Sequence, residues 1–299
     1  MSKSAPYRYL TAETVARLRS MNLVARSIVE GFISGLHRSP YHGFSVEFAE
    51  HREYSPGDNI RYLDWTALAR SDRLYVKQFE EETNLKAHIL LDTSSSMNYS
   101  SGGPTKLEYG SYLAAALAYL MVRQKDSAGL VTFDSEVRSF IPPRATSTHL
   151  NVVLRQLENL VPGGPTRVSE VFHRLAESIH RRGLIIIISD LYDDPHEVFR
   201  ALRHFRHKHH EVLIFHVFDS AELRFPFDHM SNFVDLETDE QLQVDPKYLR
   251  REYLAQMEQF VNSYRMECSE SHIEYVLTDT SVPYDFMLTA YLGKRKRMG

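Results

Sequence analysis

A run of five consecutive apolar residues, Leu184–Ile188, is the feature that most restricts the fold of this 299-residue chain. A strand that is apolar at every position has to be covered on both faces, which is typical of strands inside a parallel sheet. Other apolar strands are predicted from residue 86 onwards, and each alternates with a segment of helical spacing. These strands are Ala87–Leu91, Ala128–Phe133, Val212–Phe218 and Ile273–Leu277. The pattern predicts an α/β fold: a doubly wound, mostly parallel sheet with helices on both faces.

The first part of the chain has a different pattern. Apolar residues at four-residue spacing over Thr11–His37 predict an amphipathic helix, and alternating residues predict strands within Gly43–Tyr54 and Leu74–Phe79. No linker rich in glycine, serine or proline separates these segments from the α/β pattern, so the sequence does not mark a sharp domain boundary. We therefore expect three parts: a mixed α+β extension at residues 1–85, the α/β domain at 86–293, and a solvated basic tail at 294–299.

The composition is that of a folded protein in a reducing compartment. With 43% apolar and 25% charged residues, disorder throughout the chain is excluded. The formal net charge of -4 argues against a surface built to bind nucleic acid. The single cysteine, Cys268, can form neither an intramolecular disulfide nor a cysteine-based zinc cluster. The longest apolar run, Tyr112–Val122, is short of the roughly 20 residues that span a bilayer, and the first residues lack the apolar core of a signal peptide. We expect a cytoplasmic protein without a membrane span.

Oxygen-bearing side chains come directly after two of the predicted strands. Asp92, Ser94 and Ser96 follow the first strand of the α/β domain, and Asp190 follows the all-apolar strand. Between them, a Pro-Gly-Gly-Pro loop leads to Thr166 at the start of a helix. In doubly wound sheets, ligands bind beyond the carboxyl ends of the strands, where the strand order reverses. If the two strands are neighbours, two carboxylates and three hydroxyls meet there, and this oxygen set suits Mg²⁺.

The same residues also have a simpler explanation. The segment from Asp92 to Ser96 could be an ordinary loop in which Asp92 or Ser94 caps the next helix. The glycine loop before Thr166 and the aspartate after a second buried strand favour the metal site over this explanation.

Two sets of residues resemble known families. Asp92-x-Ser94-x-Ser96, with Thr166 and Asp190, resembles the five-residue metal-ion-dependent adhesion site of von Willebrand factor A domains. A longer upstream stretch resembles a bacterial family catalogued as domain of unknown function 58, typically encoded beside MoxR-type AAA+ ATPases. The upstream residues that carry this second resemblance are His51–Asp58, Asp64–Trp65, Ala69–Arg70 and Val76–Glu80. Together the two signatures cover residues from about 40 to at least 220.

The resemblance implies a role for each site residue. Ser94, Ser96 and Thr166 would contact the metal directly, and Asp92 and Asp190 would act through coordinated water. The metal would be Mg²⁺, or Mn²⁺ or Ca²⁺ in its place. Because neutral hydroxyls leave the cation with much of its positive charge, it stays attractive to an Asp or Glu of another protein. The resemblance therefore implies a protein-binding module and not an enzyme. Its partner would be a MoxR-type ATPase, in chaperone-like assembly or activation of other proteins.

The site departs from the adhesion-domain pattern at two positions. Pro165 intrudes in the glycine loop before Thr166, which could shift that hydroxyl relative to the metal. Leu191 comes after Asp190 where adhesion domains commonly have glycine.

A different function for the same strand-end carboxylates is a Mg²⁺-dependent hydrolase or phosphatase. Such an enzyme needs a general base, and no histidine lies beside Asp92, Thr166 or Asp190. Asp92 as a phosphate-accepting nucleophile is also disfavoured, because haloacid-dehalogenase-like phosphatases have a second aspartate at the position of Ser94.

Overall fold

The computed structural model describes residues 20–38, 51–53, 75–77, 85–238 and 240–298. Ten strands occur in these ranges. In chain order they are β1 (His51–Glu53), β2 (Tyr75–Lys77), β3 (Lys86–Asp92), β4 (Ser127–Phe133), β5 (Val137–Arg144), β6 (Leu184–Ser189), β7 (Glu211–Phe218), β8 (Ser231–Val234), β9 (Gln241–Val244) and β10 (Glu274–Asp279).

Six of these strands form one sheet in the order β10-β7-β6-β3-β4-β5. Strand β5 runs antiparallel to β4, and every other pair in the sheet is parallel. The chain first builds the sheet outward from β3 to β4 and β5, and then returns to add β6 on the opposite side of β3. The strand order therefore reverses between β3 and β6, and the predicted mostly parallel sheet is confirmed.

Eight α-helices belong to the described ranges. They are α1 (Met21–Arg38), α2 (Lys106–Arg123), α3 (Ser147–Glu158), α4 (Val168–Ser178), α5 (Pro195–His207), α6 (Ser220–Arg224), α7 (Pro246–Glu270) and α8 (Asp285–Met298). Local sequence explains where several of them begin. Thr105 and Glu108 form a reciprocal capping box at the start of α2, and the Asp194 side chain accepts the His196 amide at the start of α5. None of these helices is both long and apolar enough to cross a bilayer.

The sheet separates two hydrophobic cores because successive side chains of a strand point to opposite faces. On one face, Ile89 and Ile186 are buried against α1, α2, α3 and α8. On the other face, Leu90 and Ile187 are buried against α4, α5 and α7. Helices therefore cover both faces, as the all-apolar strands predicted.

Helix α1 belongs to the first of these cores. Its side chains at Val24, Ile28 and Phe32 are buried together with apolar residues of α2 and α3. Strands β1 and β2 form a separate antiparallel pair. The other upstream signature residues, including Asp64–Trp65, lie outside the described residues, and the boundary at residue 85 stays a prediction.

The basic residues near the end of the chain differ from the expected solvated tail. Residues 294–298 form the last turns of α8. Lys294 is buried and pairs with Glu211 at 2.8 Å, Arg295 pairs with Asp126 at 2.6 Å, and Arg297 pairs with Glu274. The prediction of a solvated tail was wrong for Lys294 and Arg295, because Glu211 at the start of β7 and Asp126 before β4 supply partners that the local sequence does not reveal, whereas Lys296 and Arg297 are exposed.

Strands β8 and β9 form an antiparallel hairpin that the sequence pattern did not predict. Each strand has only four residues, and most of their side chains are at least partly exposed. Such short strands carry too little alternation to be recognised from periodicity.

Candidate metal and ligand site

The reversal of strand order brings the two acidic strand ends together. Strands β3 and β6 are paired in parallel, with Leu91 opposite Ile188. Asp92 ends β3, and Asp190 comes directly after the last residue of β6. Both aspartates are fully buried. The two strands are therefore neighbours, as the sequence analysis required for the two carboxylates to meet.

Asp92 is held by hydrogen bonds to both strand ends. Its Oδ1 accepts the backbone amide of Ser94 at 2.9 Å, and its Oδ2 accepts the Ser189 hydroxyl at 2.5 Å. Burial, and then the nearby negative charge of Asp190, raise the pKa of the Asp92 carboxyl above its usual range. Holding Asp92 ionised therefore requires a positive charge or strong hydrogen-bond donors nearby.

Ser94 and Ser96 place their hydroxyl oxygens 3.1 Å apart. Ser94 precedes a short 3₁₀ helix, Ser95–Asn98, but its side chain does not cap that helix. The simpler explanation of this segment as a capping loop therefore fails for Ser94, whereas Asp92 does bond the Ser94 amide as a turn residue would.

The glycine loop is tied to the segment that comes after Asp92. The Ser95 amide donates to the Gly164 carbonyl at 3.1 Å, the Ser95 hydroxyl donates to the Gly163 carbonyl at 2.6 Å, and the Gly163 amide donates to the Thr93 carbonyl at 2.5 Å. These bonds bring the loop that carries Thr166 to the same end of the sheet. The Thr166 hydroxyl itself donates to Glu237 at 2.6 Å, and its partner is therefore a carboxylate and not one of the two serines.

A buried lysine neutralises part of the acidic cluster. Lys106, at the start of α2, is 1% exposed and its Nζ lies 2.8 Å from Asp190 Oδ2 and 2.7 Å from Glu222 Oε1. The ammonium also lies 5.0 Å from the centre of the Tyr192 ring. Burial acts to lower the pKa of Lys106, but the two carboxylates outweigh it and raise that pKa. Lys106 is therefore a permanent cation of the site.

The other carboxylate oxygen of Asp190, Oδ1, is in a different environment from the oxygen that pairs with Lys106. Within the described ranges, Asp190 Oδ1 is buried and has no hydrogen-bond partner. The backbone carbonyl of Asp190, by contrast, bonds the His216 ring at 2.8 Å. Buried polar atoms are almost always paired, so an unpartnered carboxylate oxygen indicates a place for water or a cation.

The donor set of this cluster could hold a hard cation. Asp190 Oδ1 and the hydroxyls of Ser94 and Ser96 are oxygen donors of the kind that Mg²⁺ prefers. No three His, Cys, Asp or Glu side chains gather as a metal site in the part of the chain that the structure describes, so a cation bound here would need hydroxyl ligands as well.

Several residues of the site were not predicted from the sequence. Lys106 carried a recognisable signal, because a charged residue opens a helix that is otherwise apolar nearly all round. Ser189 immediately precedes Asp190 and could also have been noticed. Glu222 and Glu237 carried no such signal, because their contacts to Lys106 and Thr166 join distant segments.

The fold and site define a doubly wound α/β domain with an oxygen-rich cluster at the point where strand order reverses. The chain belongs to the family described as "Protein of unknown function DUF58", whose model matches residues 50–261. The family predicted from the upstream signature is thereby confirmed.

The chain is similar to a mycobacterial relative and to two solved structures from Bacteroides. Uncharacterized protein Rv1480 of Mycobacterium tuberculosis is 27% identical over 215 residues, which covers 71% of this chain and 67% of the relative. The crystal structure of BatB from Bacteroides thetaiotaomicron has 16% identity and a TM-score of 0.48, and covers 71% of this chain and 98% of that one. An aerotolerance-related membrane protein from Bacteroides fragilis has 17% identity and a TM-score of 0.47, with 70% and 98% covered.

Proposed function

We propose that this protein is a metal-dependent protein-binding module of the von Willebrand factor A type. The observation that carries the proposal is the unpartnered, buried Asp190 Oδ1 at the end of the sheet where Asp92, Ser94 and Ser96 also lie. Mg²⁺, or Mn²⁺ or Ca²⁺, would be held by these residues together with Thr166.

The charges of the site support a divalent cation. Three carboxyl groups, those of Asp92, Asp190 and Glu222, interact within the cluster, and in the described part of the chain the ammonium of Lys106 pairs with two of them. Burial disfavours ionisation of Asp92 and Glu222, and a bound cation would favour their ionised forms. Lys106 holds only one oxygen of Asp190, so the other oxygen stays available to metal-bound water.

The hydroxyl ligands decide what the site can bind. A divalent cation held by neutral hydroxyls keeps enough positive charge to attract a carboxylate from outside. In this chain, Ser94 and Ser96 would provide such oxygens, and Asp92 orients the segment that carries them through its bond to the Ser94 amide. We therefore infer that a partner supplies an Asp or Glu side chain.

The proposed partner is a MoxR-type AAA+ ATPase, and the proposed role is chaperone-like assembly or activation of other proteins in the cytoplasm. The support for this partner is the family resemblance of the sequence. The prediction that the chain is not an enzyme also belongs to this proposal. A panel of phosphoesters with Mg²⁺ or Mn²⁺ tests it, since turnover would favour the hydrolase instead.

Calorimetric titration of metal-stripped protein with Mg²⁺ and Mn²⁺ tests the metal site. We expect one ion per chain, and weaker binding in Ser96→Ala and Thr166→Ala. Ser100→Ala is the matched control, because the Ser100 hydroxyl bonds the Gly103 carbonyl away from the cluster. If the Ser96 and Thr166 variants bind metal like the wild type, the assignment of the site is wrong.

Binding of the ATPase is tested with the two purified proteins in Mg²⁺ and in EDTA. We expect association to be lost in EDTA. Binding of undiminished affinity without metal would contradict the proposed mechanism and leave the fold unchanged.

A further inference from the structure

A carboxylate of this same chain is already hydrogen-bonded to Thr166. The Thr166 hydroxyl donates to Glu237 Oε1 at 2.6 Å, and the Thr166 amide lies 3.2 Å from both carboxylate oxygens of Glu237. Two donors of one residue thus converge on a single carboxylate. Hydrogen bonds from neutral donors to an ionised acceptor are stronger than those between neutral groups. Thr166 therefore offers a small carboxylate-binding point.

Glu237 is presented by the turn of the β8–β9 hairpin. The Asp235 side chain accepts the amides of Glu237 and Thr238, and the Asp235 amide donates to the Glu240 carbonyl. These bonds lie within the hairpin itself. The two strands of the hairpin pair with each other and with no strand of that sheet.

The hairpin contacts the rest of the protein through Phe233, the third residue of β8. Phe233 stacks on Phe225 at 5.6 Å between ring centres and packs edge-on against Phe227 at 5.3 Å. Nearer the turn, the apolar side chains are exposed: Val234 by 45% and Leu236 by 43%. Because little apolar surface is buried near the turn, moving the turn away from Thr166 would cost few contacts besides the bonds of Glu237.

We propose that Thr166 is a carboxylate-binding point that Glu237 fills in the free protein and that an acidic side chain of a partner takes over. The partner part of this inference rests on the proposed function, but the carboxylate-binding point does not. A hydroxyl that donates its proton to Glu237 still has lone pairs for a cation, so the contact and a metal are compatible. Glu237 thus competes with the incoming carboxylate and sets its apparent affinity.

The expected effect of this competition depends on the fraction of molecules in which Glu237 occupies Thr166. A ligand binds only the fraction of molecules whose site is open, and its apparent dissociation constant rises by the inverse of that fraction. If Glu237 covers Thr166 in roughly nine molecules of ten, removing Glu237 tightens the binding of an external carboxylate about tenfold.

Acetate tests the carboxylate-binding point without any metal. The Thr166 amide is followed by nuclear magnetic resonance in EDTA while sodium acetate replaces sodium chloride at constant ionic strength. In Glu237→Ala we expect a saturable shift of this amide at about tenfold lower acetate than in the wild type. Glu240→Gln removes a charge from the same hairpin and should behave like the wild type. Equal acetate dependence in Glu237→Ala and wild type, or no saturable shift in the variant, overturns the proposal.

Binding of a purified MoxR-type ATPase in Mg²⁺ tests the competition with a protein. We expect Glu237→Ala and Glu237→Gln to bind about tenfold more tightly than wild type and Glu240→Gln to bind unchanged. If the complex is lost in EDTA but both Glu237 variants bind the ATPase with wild-type affinity, Glu237 does not compete with the partner. The proposed function would then still stand. If the ATPase binds regardless of EDTA or not at all, the proposed function fails, and the acetate titration alone decides the binding point. Thermal unfolding of each variant confirms that it is folded.

Discussion

Single residues of the site carry charges that have been removed from water. Lys106 is the clearest case, because its ammonium is buried between the carboxylates of Asp190 and Glu222. A buried ion pair adds little stability compared with apolar residues of the same size, since desolvation offsets the attraction. Loss of one partner is different, because it leaves an uncompensated charge in the interior.

Replacing Lys106 by methionine should therefore lower the free energy of unfolding by roughly 3–5 kcal/mol. Urea unfolding measures this change. Lys208→Met is the control, because Lys208 makes an exposed 3.5 Å pair with Glu177 and its loss should cost less than about 1 kcal/mol. Equal effects of the two substitutions would mean that Lys106 is not buried with its carboxylates.

His88 links stability to pH at a position outside the metal cluster. It lies in β3, is 7% exposed, and its Nδ1 has no hydrogen-bond partner in the described part of the chain. Burial, with a smaller contribution from the charge of His210, lowers the pKa of His88 to about 4. The unfolded chain takes up this proton near pH 6.5, whereas the folded protein does so only near pH 4.

Stability should consequently be lost as the pH falls from about 6.5 to about 4, by on the order of 3 kcal/mol from His88 alone. Urea unfolding at a series of pH values measures it. His88→Leu should show a smaller loss over this window, and substitution of the exposed His196 by glutamine should leave the wild-type slope. An unchanged slope in His88→Leu would contradict the burial of a neutral imidazole.

At the scale of elements, the close approach of β4 and β5 depends on a glycine. A Cβ atom at Gly129 would lie 2.6 Å from the Ile141 carbonyl oxygen and 2.8 Å from the Pro143 nitrogen. Both are backbone atoms, which cannot move without shifting β5. The register between the strands also shifts between Ala128 and Leu130. The glycine is thus required by the approach of the two strands.

Gly129→Ala should destabilise the protein by about 1–3 kcal/mol, because the methyl group forces the strands apart. Gly31→Ala in α1 is a matched substitution with the opposite expectation. A Cβ at Gly31 meets no atom within 4 Å, and alanine in a helix is favoured over glycine by roughly 0.5–1 kcal/mol. Denaturant unfolding compares the two, and a neutral Gly129→Ala would rule out the close strand contact.

For the whole molecule, metal binding and folding stability are coupled. The wild type should gain stability with Mg²⁺ as RT ln(1 + [L]/Kd), about 2.7 kcal/mol at a hundredfold excess over Kd. Asp92→Asn keeps an acceptor for the Ser94 amide and removes one of two neighbouring negative charges. It should be within about 1 kcal/mol of the wild type in EDTA, or slightly more stable, and should gain nothing from Mg²⁺.

Melting curves in EDTA and in excess Mg²⁺ measure both effects. Asp228→Asn, which changes an exposed carboxylate paired with Arg250, is the control that should keep the gain from Mg²⁺. A large loss of stability of Asp92→Asn in EDTA would show that the bonds from Ser189 and Ser94 to this carboxylate hold the fold itself.

The sequence by itself determined the buried strands of the parallel sheet, because burial on one or both faces imposes a periodicity that is local. The all-apolar strand predicted at Leu184–Ile188 became β6 at the centre of the sheet. The acidic strand ends were likewise visible, because Asp92 and Asp190 come just after apolar runs.

Only the tertiary structure decided which strand ends meet and what lies between them. The pairing of β3 with β6 selects two segments that are far apart in the chain. Lys106 and Asp190 are separated by 84 residues, and Thr166 and Glu237 by 71. No local pattern encodes such contacts, because their energy is gained only after the sheet has brought the segments together and removed them from water. The oxygen-bearing residues of the site could therefore be predicted from the sequence. The buried lysine, Lys106, and the carboxylate that bonds Thr166, Glu237, could not.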